Sequence, residues 1–537
     1  MADWGAIPAG HMLWLMALVA GVDSSTQSTK VVIVDSETGV LAGSGTARHS
    51  VTGSGGARES EPACWEDALV GALGEALALS KQKASRERRS AKVAAISIGA
   101  QQHGLVVLDS NGRPVRPAVL WNDTRSHKEA AEVVARLGGP AECAKKVGSV
   151  LTPSFTVTKW VWLRKHEPAA AAAARGVCLP HDYLTSLLTG RLPGNSSLVG
   201  ALRSATSAAA GSRRGARSTT GLGGWLVTDR SDASGTGWWE PNGESYGEDI
   251  LALPEVGLDA GMLPRVLGPG EAAGEVPAAL AERLGLDPAT VVGPGAGDNA
   301  AAGLALGLQP GEAALSLGTS GTVFAVTGRP CADPEGVVAG FASADGKYLP
   351  LVCTLNAALA IDRVASWLRL RRDDVAPSGE VVFLPWLDGE RTPNLPRASG
   401  ALAGLRHATD LRSVLQAAYE GAAASLLVGL ERVDAWAPLS PEAPLLLVGG
   451  GARSPVWREA VKRLSGRGIV VPKARELVAL GAAVQAAAIV EECTPAEVAE
   501  RWHTRRGDEE GALDKDEETL GRIHAWASLV GCWSSGA

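Results

Sequence analysis

Short apolar runs alternate along this chain with longer stretches in which apolar positions recur every three or four residues. Those are the periods of strands and of amphipathic helices. Leu18–Val22 and Lys30–Asp35 predict two strands around a Ser/Thr-rich turn, DSSTQST. A helix is predicted over Trp65–Leu79, and Val93–Ile98 is a third strand that stops at Gly99. Helical periodicity follows at Ala130–Leu137, Thr156–Lys165 and Tyr183–Leu188. Val291–Gly297 predicts a buried strand running into a Gly turn, and Ala300–Gly307 a helix of small residues. Glu312–Leu317 and Thr322–Val326 repeat the opening strand–turn–strand unit around Gly318–Gly321. Leu411–Trp436 is a long helix. Leu445–Val448 is a strand entering Gly449-Gly450-Gly451, and further helices begin at Pro455 and cover Leu480–Glu492.

Strands alternating with helices place the chain in the α/β class. The repeated strand–turn–strand unit predicts two similar lobes with a central cleft. The N-terminal lobe spans 16–309 and the C-terminal lobe 310–492, flanked by an extension, 1–15, and a charged, weakly patterned tail, 493–537. Residues 193–225 are rich in Ser, Ala, Gly and Arg without periodicity, which reads as a low-complexity insertion. Met12–Val22 could form a signal-peptide core, but Asp3 and the lack of Lys or Arg in residues 1–11 favour a buried strand. No apolar run in this reading reaches membrane-spanning length.

Composition narrows the classes. With 537 residues, 45% of them hydrophobic, the chain is neither mainly disordered nor a small disulfide scaffold. A net charge of −7 argues against a nucleic-acid binder. The local cluster Arg203, Arg213, Arg214 and Arg217 lies in the low-complexity stretch and reads as a solvated loop. Seven cysteines, odd in number and without a CxxC pair, predict free thiols in a reducing cytoplasm and no zinc site.

Three turns after apolar strands carry the candidate chemistry: Asp23–Thr29, Gly318–Gly321 and Gly449–Gly451. Turns of this kind expose backbone N–H groups that can cradle phosphate, although a lone Gly turn is more often merely tight. Ser25, Thr26 and Gln27 belong to the first turn, and Lys30 follows, able to meet phosphate charge or to lie along a strand edge. Asp23 can hold Mg²⁺ beside a nucleotide phosphate, or shape an Asx-turn. Asp298 stands where a strand gives way to a helix. It can take the proton of an attacking hydroxyl, or cap the helix. Asp232 in SDASGT is a rival base on local chemistry alone. Gln101-Gln102-His103-Gly104 and Trp121-Asn122-Asp123 are polar clusters at the ends of apolar runs. They suit a polyhydroxy ligand or a satisfied buried network.

Taken together, GVDSSTQSTK (21–30), QQHG (101–104), RPAVLWNDTR (116–125), HDYLTSLLTG (181–190), SDASGT (231–236), GDNAAAG (297–303), SLGTSGT (316–322), LDGERTP (387–393), GGGARSPVW (449–457) and ALGAA (479–483) resemble the FGGY family of carbohydrate kinases over about residues 16 to 490. The pattern is most like its xylulose-phosphorylating members. The resemblance implies an actin-like, ribonuclease H-like ATPase fold with ATP and sugar in the cleft. It implies Asp298 as proton acceptor, with Asp232 supporting it. Gln102 and His103 meet the ketose, joined by Trp121, Asn122 and Asp123. Asp23 is linked to Mg²⁺. Gly318 and Thr319 form the second phosphate turn, and Gly449, Gly450, Gly451 and Ala452 the adenosine turn. The implied reaction is ATP-dependent phosphorylation of D-xylulose to the 5-phosphate. The alternatives are ribulose, a longer ketose or a polyol as acceptor, an ATP-binding switch, or an inactive relative. The expected partners are ATP and the sugar, with a homodimer as the conceivable assembly and neither nucleic acid nor membrane. This sequence departs from the family pattern at Ser25, often Gly, and at Gln102, often hydrophobic. The insertion at 193–225 and a shortened stretch at Arg371–Gly379 are further departures.

Overall fold

Along the strand β1 (Leu18–Ser24), side chains alternate between two separate cores. Leu18, Ala20 and Val22 enter one, together with Val31 and Ile33 of β2 (Ser28–Asp35) and with Trp65, Leu69 and Leu73 of the helix Pro62–Glu87. Val19 enters the other, with Val32, Val34, Ala95 and the small residues of the helix Leu477–Glu491. A strand covered on both faces has to be apolar at successive positions. Here the period of two is hidden inside a continuous apolar run.

The computed structural model describes residues 17–87, 92–192, 221–392, 395 and 397–535. The expected extension 1–15 and residues 193–220 of the expected insertion lie outside these, as does Pro393. The chain divides into two units. The first comprises Met1–Gly307, Phe341–Lys347 and Arg475–Thr504, and the second Leu308–Gly340, Tyr348–Ala474 and Arg505–Ala537.

In the first unit the strands run in the order β3 (Leu41–Arg48), β2, β1, Val93–Ala100, Val291–Val292, Gly274–Glu275. The first two pairings are antiparallel, the next two parallel and the last antiparallel. The second unit repeats this with Tyr348–Thr354, Gly321–Ala325, Ala313–Leu317, Leu445–Val448, Ile469–Pro472 and Gly507–Glu510, in the same sequence of senses. Each opening meander is a hairpin pair, and each parallel step needs a crossover helix.

The helix Leu477–Glu491 lies directly on the sheet of the first unit. A Cβ on Gly21 would stand 1.8 Å from the Ala479 carbonyl oxygen, and one on Gly481 would stand 1.7 Å from that of Ala301. Only glycine permits such approaches. This helix therefore belongs to the first unit, although its sequence position suggested the second lobe.

The expected tail is also structured over its described residues, 493–535. Gly507–Glu510 extends the second sheet, and the helix Glu517–Ser535 buries Leu520, Ile523 and Val530 in that unit's core. Its charged exposed face had masked the apolar one. The predicted strand Val291–Gly297 is interrupted, because Pro294 and Gly295 separate Val291–Val292 from Ala296–Gly297. The described residues resume at Gly221, with a short 3-10 turn at Gly223–Trp225 where the low-complexity stretch was expected to continue. Among the described residues, the helix Leu411–Asp434 is long and apolar enough to cross a membrane, contrary to the sequence reading. Most of it is buried inside the second unit, where the apolar residues form core.

Candidate active site

Two strand ends and one broken strand position the site in the first unit. Gly99-Ala100 pairs with Asp23-Ser24 on one side and with Ala296-Gly297 on the other. Asp23 and Asp298 thus emerge from either side of the same strand end, where α/β folds place ligands. Asp298 opens the helix Asp298–Leu306, where the helix dipole favours a carboxylate. Its Oδ1 accepts from the backbone and side-chain N–H groups of Asn299, both at 2.8 Å, leaving Oδ2 to take a proton. Burial pushes the Asp298 carboxyl up to about 7. The Asn299 bonds act against that shift, and the Asp23 charge adds to it. The side chain keeps partial solvent access.

Asp23 is itself raised to about 6, chiefly by burial, against the pull of Ser25 and Lys30. The Ser25 hydroxyl donates to Asp23 Oδ1 at 2.6 Å. Lys30 lies 3.9 Å from Asp23 and 2.5 Å from Glu476, whose backbone is left-handed at φ 52°. Asp23, buried, and Asp298, half-buried, are carboxylates whose ionised forms repel each other, a donor set suited to a divalent cation.

The residues expected to meet the sugar divide into two kinds. Gln102 is buried, donates to the Ser231 carbonyl at 3.4 Å and packs against Gly297, where a Cβ would stand 2.5 Å from its amide nitrogen. His103 sits at φ 66°, a strained conformation for a residue with a side chain. Its Nδ1 lies 2.6 Å from the Gly235 carbonyl oxygen, between the rings of Phe155 and Phe341. Trp121 Nε1 donates to the Thr26 hydroxyl at 3.0 Å, joining the second polar cluster to the first turn. Asn122 presents a buried Oδ1 with no partner among the described residues.

Asp123 does not fit the role expected of it. Its two oxygens accept from the Arg58 backbone N–H, the Arg125 backbone N–H and the Arg125 guanidinium, so its acceptor capacity is consumed inside the protein. It holds the loop that carries Trp121.

One residue of the QQHG cluster was given no role of its own, and two site features were missed. Gln101 is 2% exposed, with neither amide atom partnered among the described residues, a condition a bound hydroxyl would relieve. Lys159 is buried with its ammonium on the His103 and Ser154 carbonyls, and burial lowers it to about 7 against the attraction of Asp123. Glu476 holds Lys30. The doubled Gln of QQHG was the available signal for the first; the other two depend on contacts distant in sequence.

In the second unit the parallel pairing of Ser316 with Val448 brings two turns to one sheet edge. Gly318 and Thr319 accept from the N–H groups of Ala358 and Leu359, at the start of the helix Ala358–Leu368. Gly449 has φ 85°, and a Cβ there would stand 2.9 Å from the Leu317 carbonyl oxygen, so the glycine is required both conformationally and sterically. Gly450–Arg453 forms a 3-10 turn that includes Gly451 and Ala452, with the Arg458 guanidinium on the Ala452 carbonyl at 2.7 Å. The remaining first-turn residue, Gln27, is exposed, and its carbonyl accepts from the His49 N–H.

Comparison with known proteins bears on this arrangement. Residues 18–204 and 219–305 match the N-terminal domain of the FGGY family of carbohydrate kinases, and residues 313–489 match the C-terminal domain. The interruption falls inside the stretch read as an insertion. Xylulose kinase of Streptomyces rubiginosus is 52% identical over 509 residues, 94% of this chain and 95% of that protein. Xylulose kinase of Streptomyces coelicolor is also 52% identical, over 507 residues with the same coverages. The crystal structure of xylulose kinase from Bifidobacterium adolescentis superposes with a TM-score of 0.77 at 32% identity, covering 96% of this chain and 100% of that one. The repeated strand order is that of the ribonuclease H-like, actin-like two-domain fold of these sugar kinases. This chain belongs to the FGGY family of carbohydrate kinases.

Proposed function

We propose that this enzyme transfers phosphate from ATP to the terminal hydroxyl of D-xylulose, giving D-xylulose 5-phosphate for pentose catabolism. The observation that carries the reading is Asp298. It is a half-buried carboxyl at a helix start whose proton affinity is raised to about 7, beside Gln102 and opposite Asp23. A base poised near neutrality matches the task of receiving a hydroxyl proton. The 52% identity to proteins named xylulose kinase supports D-xylulose as the acceptor.

In this mechanism Gln102 and His103, with Trp121 and Asn122, orient the ketose. Asp298 Oδ2 takes the proton as the hydroxyl oxygen attacks the γ-phosphorus and the bond to the β–γ bridging oxygen breaks, so that ADP leaves. Asp23 would hold Mg²⁺, assisted by the Ser25 hydroxyl; bound there, the ion neutralises phosphate charge. Ser25, Thr26, Gln27 and Lys30, with Gly318 and Thr319, are assigned to the phosphates. Gly449, Gly450, Gly451 and Ala452 are assigned to adenosine. A cytoplasmic location is consistent with ATP as donor. A homodimer is the expected assembly, which light scattering would measure.

The test is ADP release measured with D-xylulose, D-ribulose, a longer ketose and a polyol. D-Xylulose should have the highest kcat/KM, and Asp298→Ala should abolish turnover while ATP still binds. A higher kcat/KM for D-ribulose would favour the second reading, a kinase for another member of the same sugar class. Full activity in Asp298→Ala would sink the mechanism.

A further inference from the structure

Behind the site lies a buried cluster that the reaction as described does not use. His181, at the start of the helix Pro180–Leu188, is completely buried. Its Nδ1 lies 2.7 Å from Asp232 Oδ2, and its Nε2 lies 3.2 Å from the Pro294 carbonyl oxygen and 3.3 Å from Asp182 Oδ1. The Pro294 carbonyl can only accept, so Nε2 carries a proton. Nδ1 then shares a second proton with a carboxylate, and Asp182 and Asp229, the latter 3.9 Å away, favour placing the positive charge on the ring.

The cluster touches both segments that bear the reacting groups. A Cβ on Gly295 would stand 2.3 Å from the His181 ring, so the imidazole directly supports the Pro294-Gly295-Ala296-Gly297 segment leading to Asp298. On its other side Asp232 belongs to the short turn Arg230–Ala233, whose backbone is capped by Asp229 through the N–H groups of Ser231 and Asp232. Ser231 then works in two directions. Its hydroxyl accepts from the Gly297 N–H at 3.1 Å, and its carbonyl accepts from Gln102 Nε2 at 3.4 Å.

We propose that His181 is a positioning residue for phosphoryl transfer: its imidazolium, held between Asp232 and Pro294, braces through Ser231 the two segments that present Asp298 and Gln102. This rests on Asp298 being the base. The brace couples the base to a sugar contact, so its loss affects turnover and ketose binding together and leaves the nucleotide untouched. A small displacement of a positioned base is costly because transfer depends on near-attack geometry. A residue that merely filled space would affect the folded fraction and not the kinetics of the folded enzyme.

The experiment compares His181→Gln, His181→Lys, Ser231→Ala and Asp298→Asn in the full-length protein, scoring folding, kcat, ketose KM and ATP KM. His181→Gln should lower kcat by at least tenfold and raise ketose KM severalfold, with ATP KM unchanged. His181→Lys restores a cation and should recover most of kcat. Ser231→Ala should lower kcat three- to tenfold. Unchanged kcat in folded His181→Gln, with Asp298→Asn inactive, overturns the brace while sparing the base. An active Asp298→Asn overturns the base assignment itself. If His181→Gln fails to fold, Ser231→Ala decides: unchanged kcat there overturns the proposal. The three side chains His181, Asp182 and Asp232 also have ligand spacing. A stoichiometric metal ion in the purified protein, lost in His181→Lys, would equally overturn it.

Discussion

The indole N–H of Trp121 donates to the Thr26 hydroxyl at 3.0 Å, so the cluster proposed for the sugar and the turn proposed for phosphate share a hydrogen bond. Trp121→Phe keeps an aromatic face and removes this bond, worth about 1 kcal/mol, and should lower kcat/KM for the ketose about fivefold. Trp121→Ala also removes the ring and should cost at least tenfold more. Steady-state kinetics check both, and equal losses would show that the ring contributes nothing.

Activity should depend on pH through Asp298. The carboxyl must be ionised to accept a proton, and burial has moved its pKa up to about 7. Ketose kcat/KM should therefore rise about tenfold per pH unit below about 7 and level off above it. A plateau reaching down to pH 5 would exclude Asp298 as the titrating group.

The same carboxyl should cost the fold stability. Its folded-state pKa lies above the ordinary value of 3.8, so the folded protein resists ionising it. The cost is fully present above about pH 7 and fades as pH falls toward 4. Asp298→Asn should raise unfolding free energy at pH 8 by on the order of 1–3 kcal/mol, a gain that shrinks by pH 5. Denaturant titration at the two values measures it; a loss of stability at pH 8 would contradict the burial argument.

Asp123→Asn should behave as a folding variant. It removes the carboxylate that Arg58 and Arg125 share and should destabilise by about 1–3 kcal/mol, leaving ketose KM within about twofold in the folded enzyme. A selective rise in KM with unchanged stability would return Asp123 to the sugar contacts.

Much of the site was legible in the sequence because its parts are local. A strand that ends in DSSTQST, GDN or GGG declares both a sheet edge and a turn, and two such meanders announced a repeated unit. What escaped the sequence depends on distant contacts. Asp123 is spent on Arg58, 65 positions earlier, and nothing in Trp-Asn-Asp shows that. Val291–Gly297 looked continuous because the break comes from Pro294 and Gly295, which also read as a turn. Residues 505–537 looked like a tail because Gly507–Glu510 is an edge strand with charged side chains, where the alternation that marks a strand is weak.

The helix Leu477–Glu491 has a consequence for how the protein is made. It covers the face of the first sheet that carries Val19, Val32, Val34 and Ala95, yet it is encoded almost five hundred residues after the chain begins. During synthesis that sheet can assemble its meander early but stays open on one side until residue 491 has left the ribosome. A nascent or truncated chain ending at residue 474 exposes an apolar sheet face, which makes the interval before residue 491 emerges the one in which a chaperone has most to protect.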